Sequence, residues 1–202
     1  MKKVIASLLL TLVTSACYGH DNPALVERIA ELEKEVADLK AAVAPVMANA
    51  KAEQRLEGQR KKAKERMRKD SEHYSRNELM DIESLYQVAN KQWRTQEGKD
   101  SLEKLIKKYD HANRTGCALL YLGQMSTGKE REDYLKRAIA DFGDCFYGDG
   151  VQVGAYARYY LACHYKEEGQ TGEAKELFEE IAEKYPDAID HKGKFLAEHM
   201  DK

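Results

Sequence analysis

Residues 156–188, YARYYLACHYKEEGQTGEAKELFEEIAEKYPDA, leave little choice of fold. Leu161 and Tyr165 lie one helical turn apart and share a face. Gly169 to Gly172 permits a tight reversal. Ala174 and Phe178 repeat the same spacing and face back across the pair, with small residues where two helices approach closely. Pro186 lacks the N–H that a continuing helix needs and ends the second one. Strand-like alternation of period two is hard to find anywhere in the chain. The expectation is an all-α protein whose C-terminal part is built from helical hairpins.

Leu161-Ala162, Tyr165, Ala174, Phe178 and Pro186 fall at the spacing of the tetratricopeptide (TPR) repeat, which this stretch resembles. Arg158 stands where that family carries Trp, and Ala162 where it carries Gly. Two weaker units precede it. Leu79 to Ala112 has Leu85, Leu102 and Leu105 as core, and its KKYD ends where EKYP ends later. The next has Leu122-Gly123, a turn at Ser126-Thr127-Gly128, and Leu135 and Ala138 on the returning helix. HKGKFLAEHM reads as part of a capping helix, which a solenoid needs over its last apolar face. The resemblance implies a short TPR-like helical-hairpin solenoid over residues 75–202. It also implies a groove along the first helices of successive repeats, holding an extended peptide or a partner helix. The matching groove positions are Met80, Glu83, Gln87, Leu120, Gln124, Tyr156, Tyr159 and Lys166, with Tyr160 assigned to the core. Tyrosines in such a groove give amphipathic contact area at low entropic cost.

GDCFYGDGVQVG, residues 143–154, interrupts the array. No GKS or GKT follows its glycines, so a phosphate loop is excluded and the turn is structural. Asp149 and Gln152 read as a capping box for the next helix.

Towards the N-terminus, Leu25, Ile29, Leu32, Val36, Leu39 and Val43 alternate at spacings of four and three. That is a coiled-coil seam over residues 24–44, with Ile29, Val36 and Val43 at a and Leu25, Leu32 and Leu39 at d. β-Branched a positions with Leu at d favour a parallel dimer, and a trimer is the alternative. In a parallel pair Arg28 meets Glu33 of the partner and Glu35 meets Lys40; antiparallel pairing can match charges too. Pro45 is expected to break or kink the helix. Residues 45–74 then read as a charged linker helix, solvated because Leu56, Ala63 and Met67 form no continuous stripe, with attraction of its basic run to anionic lipid or cell-wall polymer as the alternative.

The first residues have an export layout. Met1-Lys2-Lys3 is basic, Val4 to Val13 is apolar but for Ser7 and Thr11, and small residues follow. The run is shorter than the ~20 residues of a membrane span. Residues 1–16 are therefore read as a signal peptide. Val13-Thr14-Ser15-Ala16-Cys17 resembles the bacterial lipobox, with Thr14 in place of the usual Leu. The resemblance implies acylation of Cys17 and a lipid-anchored tether over residues 17–23; ordinary cleavage after Ala16 gives a soluble exported protein instead. Tyr18 follows where some lipoproteins carry an inner-membrane retention Asp, which implies the periplasmic face of the outer membrane.

With 33 Lys+Arg against 35 Asp+Glu, the balance points away from nucleic acid. Cys117, Cys145 and Cys163 remain after the leader, with no CxxC. A Cys117–Cys145 disulfide is expected, because antiparallel packing brings both to one end of a hairpin. The histidines are scattered without HExxH or paired Cys/His spacing, so neither a metal, a cofactor nor an enzyme is expected. A coiled coil before TPR-like repeats and behind an export signal resembles the Tol–Pal-associated periplasmic proteins, which coordinate outer-membrane constriction with wall synthesis. The expectation is a non-enzymatic interaction scaffold. An outer-membrane assembly lipoprotein and a purely structural tether are the alternatives.

Overall fold

The computed structural model describes residues 22–200. Among them are seven α-helices: α1 (Pro23–His73), α2 (Arg76–Lys91), α3 (Gln96–Lys108), α4 (Asn113–Met125), α5 (Gly128–Asp141), α6 (Val153–Glu167) and α7 (Thr171–Lys184). A 3-10 turn, Leu196–His199, follows. The fold is all-helical, and the described residues contain no helix long and apolar enough to cross a membrane. The residues expected to form the signal peptide (1–16), most of those of the expected tether, and Cys17 lie outside the described residues.

The chain divides into two compact units, the second beginning at Ala50. In the first, residues 22–49 are exposed helix, started by Asn22, whose Oδ1 accepts from the Ala24 N–H at 3.2 Å. Leu25, Ile29, Leu32, Val36, Leu39 and Val43 are all exposed, from 43% at Leu32 to 64% at Leu39, and Val46 continues the row at 66%. The expected break at Pro45 does not occur: α1 runs through it. The carbonyl that loses its donor belongs to exposed helix and can be hydrated, and the flanking Ala42, Ala44, Ala48 and Ala50 are strong helix formers.

In the second unit each helix packs mainly on its sequence neighbours, α2 on α3, α4 on α5, α6 on α7. The first helices of the pairs also meet in turn, α2 with α4 and α4 with α6. Starts are set locally: Ser75 and Glu78 form a capping box on α2, and Thr95 caps α3 through the Gly98 N–H. Leu102, Leu105, Leu119, Leu120, Leu122, Leu135 and Leu161 fill the core. At Gly123 any Cβ would lie 2.6 Å from Leu135, so glycine is what lets α4 and α5 approach there.

The loops between pairs share a design. Each second helix ends on a ring, Tyr109, Phe142 or Tyr185, whose carbonyl accepts from the amide of a buried small residue three positions on: Ala112 (3.3 Å), Cys145 (3.0 Å) or Ala188 (2.9 Å). Two of these loops then fold identically. Phe146 bridges Gln152, and Ile189 bridges Phe195, around glycines with φ of 101° at Gly150 and 75° at Gly193. The GDCFYGDGVQVG segment is therefore no interruption; HKGKF repeats it, and the expected capping helix is a short 3-10 turn. The expected capping box is absent as well. Gln152 spends its amide on the Gly143 carbonyl at 2.9 Å, and Asp149 accepts from the Val151 N–H at 3.3 Å.

Residues 50–73 of α1 are not a solvated linker. Leu56, Gln59, Ala63, Met67 and Asp70 form an inward stripe laid on these loops, with Gln59, Ala63 and Asp70 buried. Arg55 covers the Phe195 ring at 3.4 Å, and the Gln59 amide donates to the Asp187 carbonyl at 2.8 Å. Arg66 pairs with Asp70 at 2.7 Å and Asp144 at 3.1 Å, and donates to the His111 carbonyl at 3.2 Å. Asp70 in turn accepts from the Asn113 N–H at 2.9 Å. Gln59 and Asp70 are polar, so the stripe leaves no apolar periodicity in the sequence.

Candidate functional site

The first helices α2 and α4, with the two glycine-turned loops, enclose a cleft of about 510 Å³. One wall is aromatic. Trp93, 41% exposed, meets Tyr121 edge-on at 4.6 Å, and Tyr121 meets Tyr86 edge-on at 6.1 Å. Asn90 and Gln124 supply amides beside this wall. At its centre Arg114 lies over the Tyr86 ring at 4.3 Å and forks onto Glu83, through Nε at 2.8 Å and Nη2 at 3.1 Å. The Glu83 carboxyl is raised by burial, but its bonds to Gln87 and Arg114 outweigh that and hold it below its ordinary value. Arg114, which lines the cleft, is thus fixed in direction by Glu83.

The far end is built by the loops. His191 Nδ1 stands 2.7 Å from Asp149 Oδ2, with the ring edge-on to Tyr147 at 5.0 Å. Burial pushes the Asp149 carboxyl up; the bond and charge of His191 and the Val151 N–H prevail and lower it. Asp190 closes its own loop by accepting from the amides of Lys192 and Lys194, and it stands 3.1 Å from His199 Nε2.

The structure divides the expected groove residues. Glu83, Gln87 and Gln124 are at or beside the cleft. Leu120 is wholly buried and is a core residue, a correction. Its neighbour Tyr121 takes the cleft position, because one residue rotates a helical side chain by ~100°. Tyr156 and Tyr159 stack on each other at 6.1 Å; Tyr156 is edge-on to His191 at 5.3 Å and Tyr159 touches Phe178. Both are half-buried against the core rather than lining the cleft. Met80 is 64% exposed and Lys166 is exposed, and neither lines it. Asn90, Trp93, Arg114, Tyr147, Asp149 and His191 were missed. A signal did exist on α4: Arg114, Tyr121 and Gln124 are polar positions at helical spacing in the largely apolar NRTGCALLYLGQM.

The expected Cys117–Cys145 bond is not formed, and both are free thiols. Cys117 Sγ donates to the Phe146 carbonyl at 3.4 Å, whereas Arg66 reaches Cys145 Sγ at 3.4 Å. Burial pushes the Cys117 thiol up to about 12 and Cys145 up further, so neither is a thiolate at neutral pH. Among the described residues no cluster of His, Cys, Asp and Glu could hold a metal ion. No protein-family model, curated protein or solved structure matches the chain.

Proposed function

We propose that this protein is a non-enzymatic interaction scaffold with TPR-like helix pairs, whose cleft takes an extended protein segment. The observation that carries this reading is the exposed Trp93–Tyr121 wall beside an Arg114 held in place by Glu83. Anchored aromatic and arginine side chains are the usual hot spots of protein interfaces, and amides such as Asn90 and Gln124 suit the backbone of an extended segment. The partner has an apolar or aromatic side chain against Trp93 and a carboxylate facing Arg114. The contacts of α2 with α4 and of α4 with α6 support a solenoid-like run of first helices. The exposed apolar row from Leu25 to Val43 supports oligomerisation through a coiled coil. The N-terminal sequence supports export with Cys17 as a lipid attachment site, and hence work at the periplasmic face of the outer membrane, in coordinating membrane and wall.

The test is capture of partners from a native envelope extract by the full chain, followed by affinity measurement on the captured segment. Trp93→Ala should weaken binding by ~2 kcal/mol or more while the variant stays folded, its melting temperature falling modestly through the lost packing on Tyr121. Equal affinity of the variant and the wild type would remove the cleft from the reading.

A further inference from the structure

We propose that the outward face of α1 between Arg60 and Lys69 is a binding surface for an anionic lipid bilayer. Over RKKAKERMRK the inward residues Ala63, Arg66 and Met67 are committed to the loops below. Everything left outward is charged: Arg60, Lys61, Lys62, Lys64, Arg68 and Lys69 are exposed, against the single exposed carboxylate of Glu65. None of these six cations forms an ion pair among the described residues. A free peptide of this sequence would turn its cations in every direction. Docking of the opposite face removes that freedom, so Arg60, Lys61, Lys64 and Arg68 stand together on one side of a fixed helix.

One feature selects a bilayer over nucleic acid: the cationic run lacks any aromatic or amide side chain that could stack on or read a base. A short row of unpaired cations instead suits a planar array of lipid phosphates met within a Debye length, where each Lys or Arg strengthens binding by about fivefold. This surface is separate from the cleft, and either can fail without the other.

The experiment is co-sedimentation of the full chain with vesicles of phosphatidylcholine alone and of phosphatidylcholine with phosphatidylglycerol. Neutral vesicles measure any uptake by the apolar N-terminal residues, and only the excess on anionic vesicles bears on the proposal. The excess is expected to vanish in 0.5 M salt. It should fall by at least ~25-fold in the Arg60→Gln, Lys61→Gln, Lys64→Gln, Arg68→Gln variant, two fivefold steps being the minimum. The melting temperature of that variant should hold, because all four side chains are exposed. Equal binding to the two vesicles, an unaffected variant, or tighter binding to a short DNA duplex than to anionic vesicles would each overturn the proposal.

Discussion

Replacing Arg66 by Met tests whether residues 50–73 belong to the fold. Met keeps the aliphatic length and removes the guanidinium, which is 13% exposed and bonded to Asp70, Asp144 and the His111 carbonyl. Asp70, 8% exposed, would then be an anion without its cation. Breaking a fully buried pair costs ~3–5 kcal/mol. Here Asp70 keeps the Asn113 N–H and the site is not completely dry, so the loss should be ~2–3 kcal/mol. Asp144 is 67% exposed and adds nothing measurable. Urea denaturation followed by circular dichroism reads the loss, which corresponds to a melting temperature lower by about 5–10 °C for a unit of this size. Arg66→Met with Asp70→Asn should recover part of it, because the stranded charge is gone while an oxygen still faces Asn113. Arg68→Met, one turn-face away and exposed, is the control and should behave as wild type. If Arg66→Met and Arg68→Met unfold at the same urea concentration, α1 is not held on the loops and the reasoning fails.

Val36→Lys places a charge in the middle of the exposed apolar row, so sedimentation equilibrium should show a monomer where the wild type self-associates; equal masses would exclude the seam. Cys17→Ser should move the protein from the membrane to the soluble fraction of its native cell, and a wild-type protein lacking acyl mass at Cys17 would refute the anchor. Acid should loosen the two glycine-turned loops together. Asp149 and Asp190 both have folded values below the ordinary ~3.9 of Asp, set against burial by His191 and the Val151 amide in one and by the Lys194 and Lys192 amides in the other. A lowered folded value means that the stability they contribute is full above ~4 and is lost as pH falls through the folded values. Asp190→Asn should therefore be less stable at pH 7 and show a flatter decline between pH 5 and pH 3, and an unchanged slope would contradict the assignment.

Local pattern settled what depends on neighbours along the chain. The helices exist because apolar residues recur at helical spacing, and the expected core residues Leu85, Leu102, Leu105, Leu135, Ala138, Leu161 and Ala174 are all buried. Pro45 shows the limit of a local rule: a helix exposed on all sides lets water take the freed carbonyl. Sites that join distant segments could not be read the same way. The groove set failed at Leu120, where a shift of one residue exchanges core for cleft and only packing against α5 and α6 decides which side faces in. His191 and Asp149 are 42 residues apart and meet because two loops adopt the same turn, a likeness carried by backbone and by glycine at positive φ rather than by matching side chains. The inward face of residues 50–73 escaped notice for a related reason. Gln59, Arg66 and Asp70 look like solvent residues, and Gln59 and Asp70 are buried and Arg66 half-buried because carbonyls, amides and carboxylates of three loops come together to receive them, an arrangement that exists only once the tertiary structure has formed.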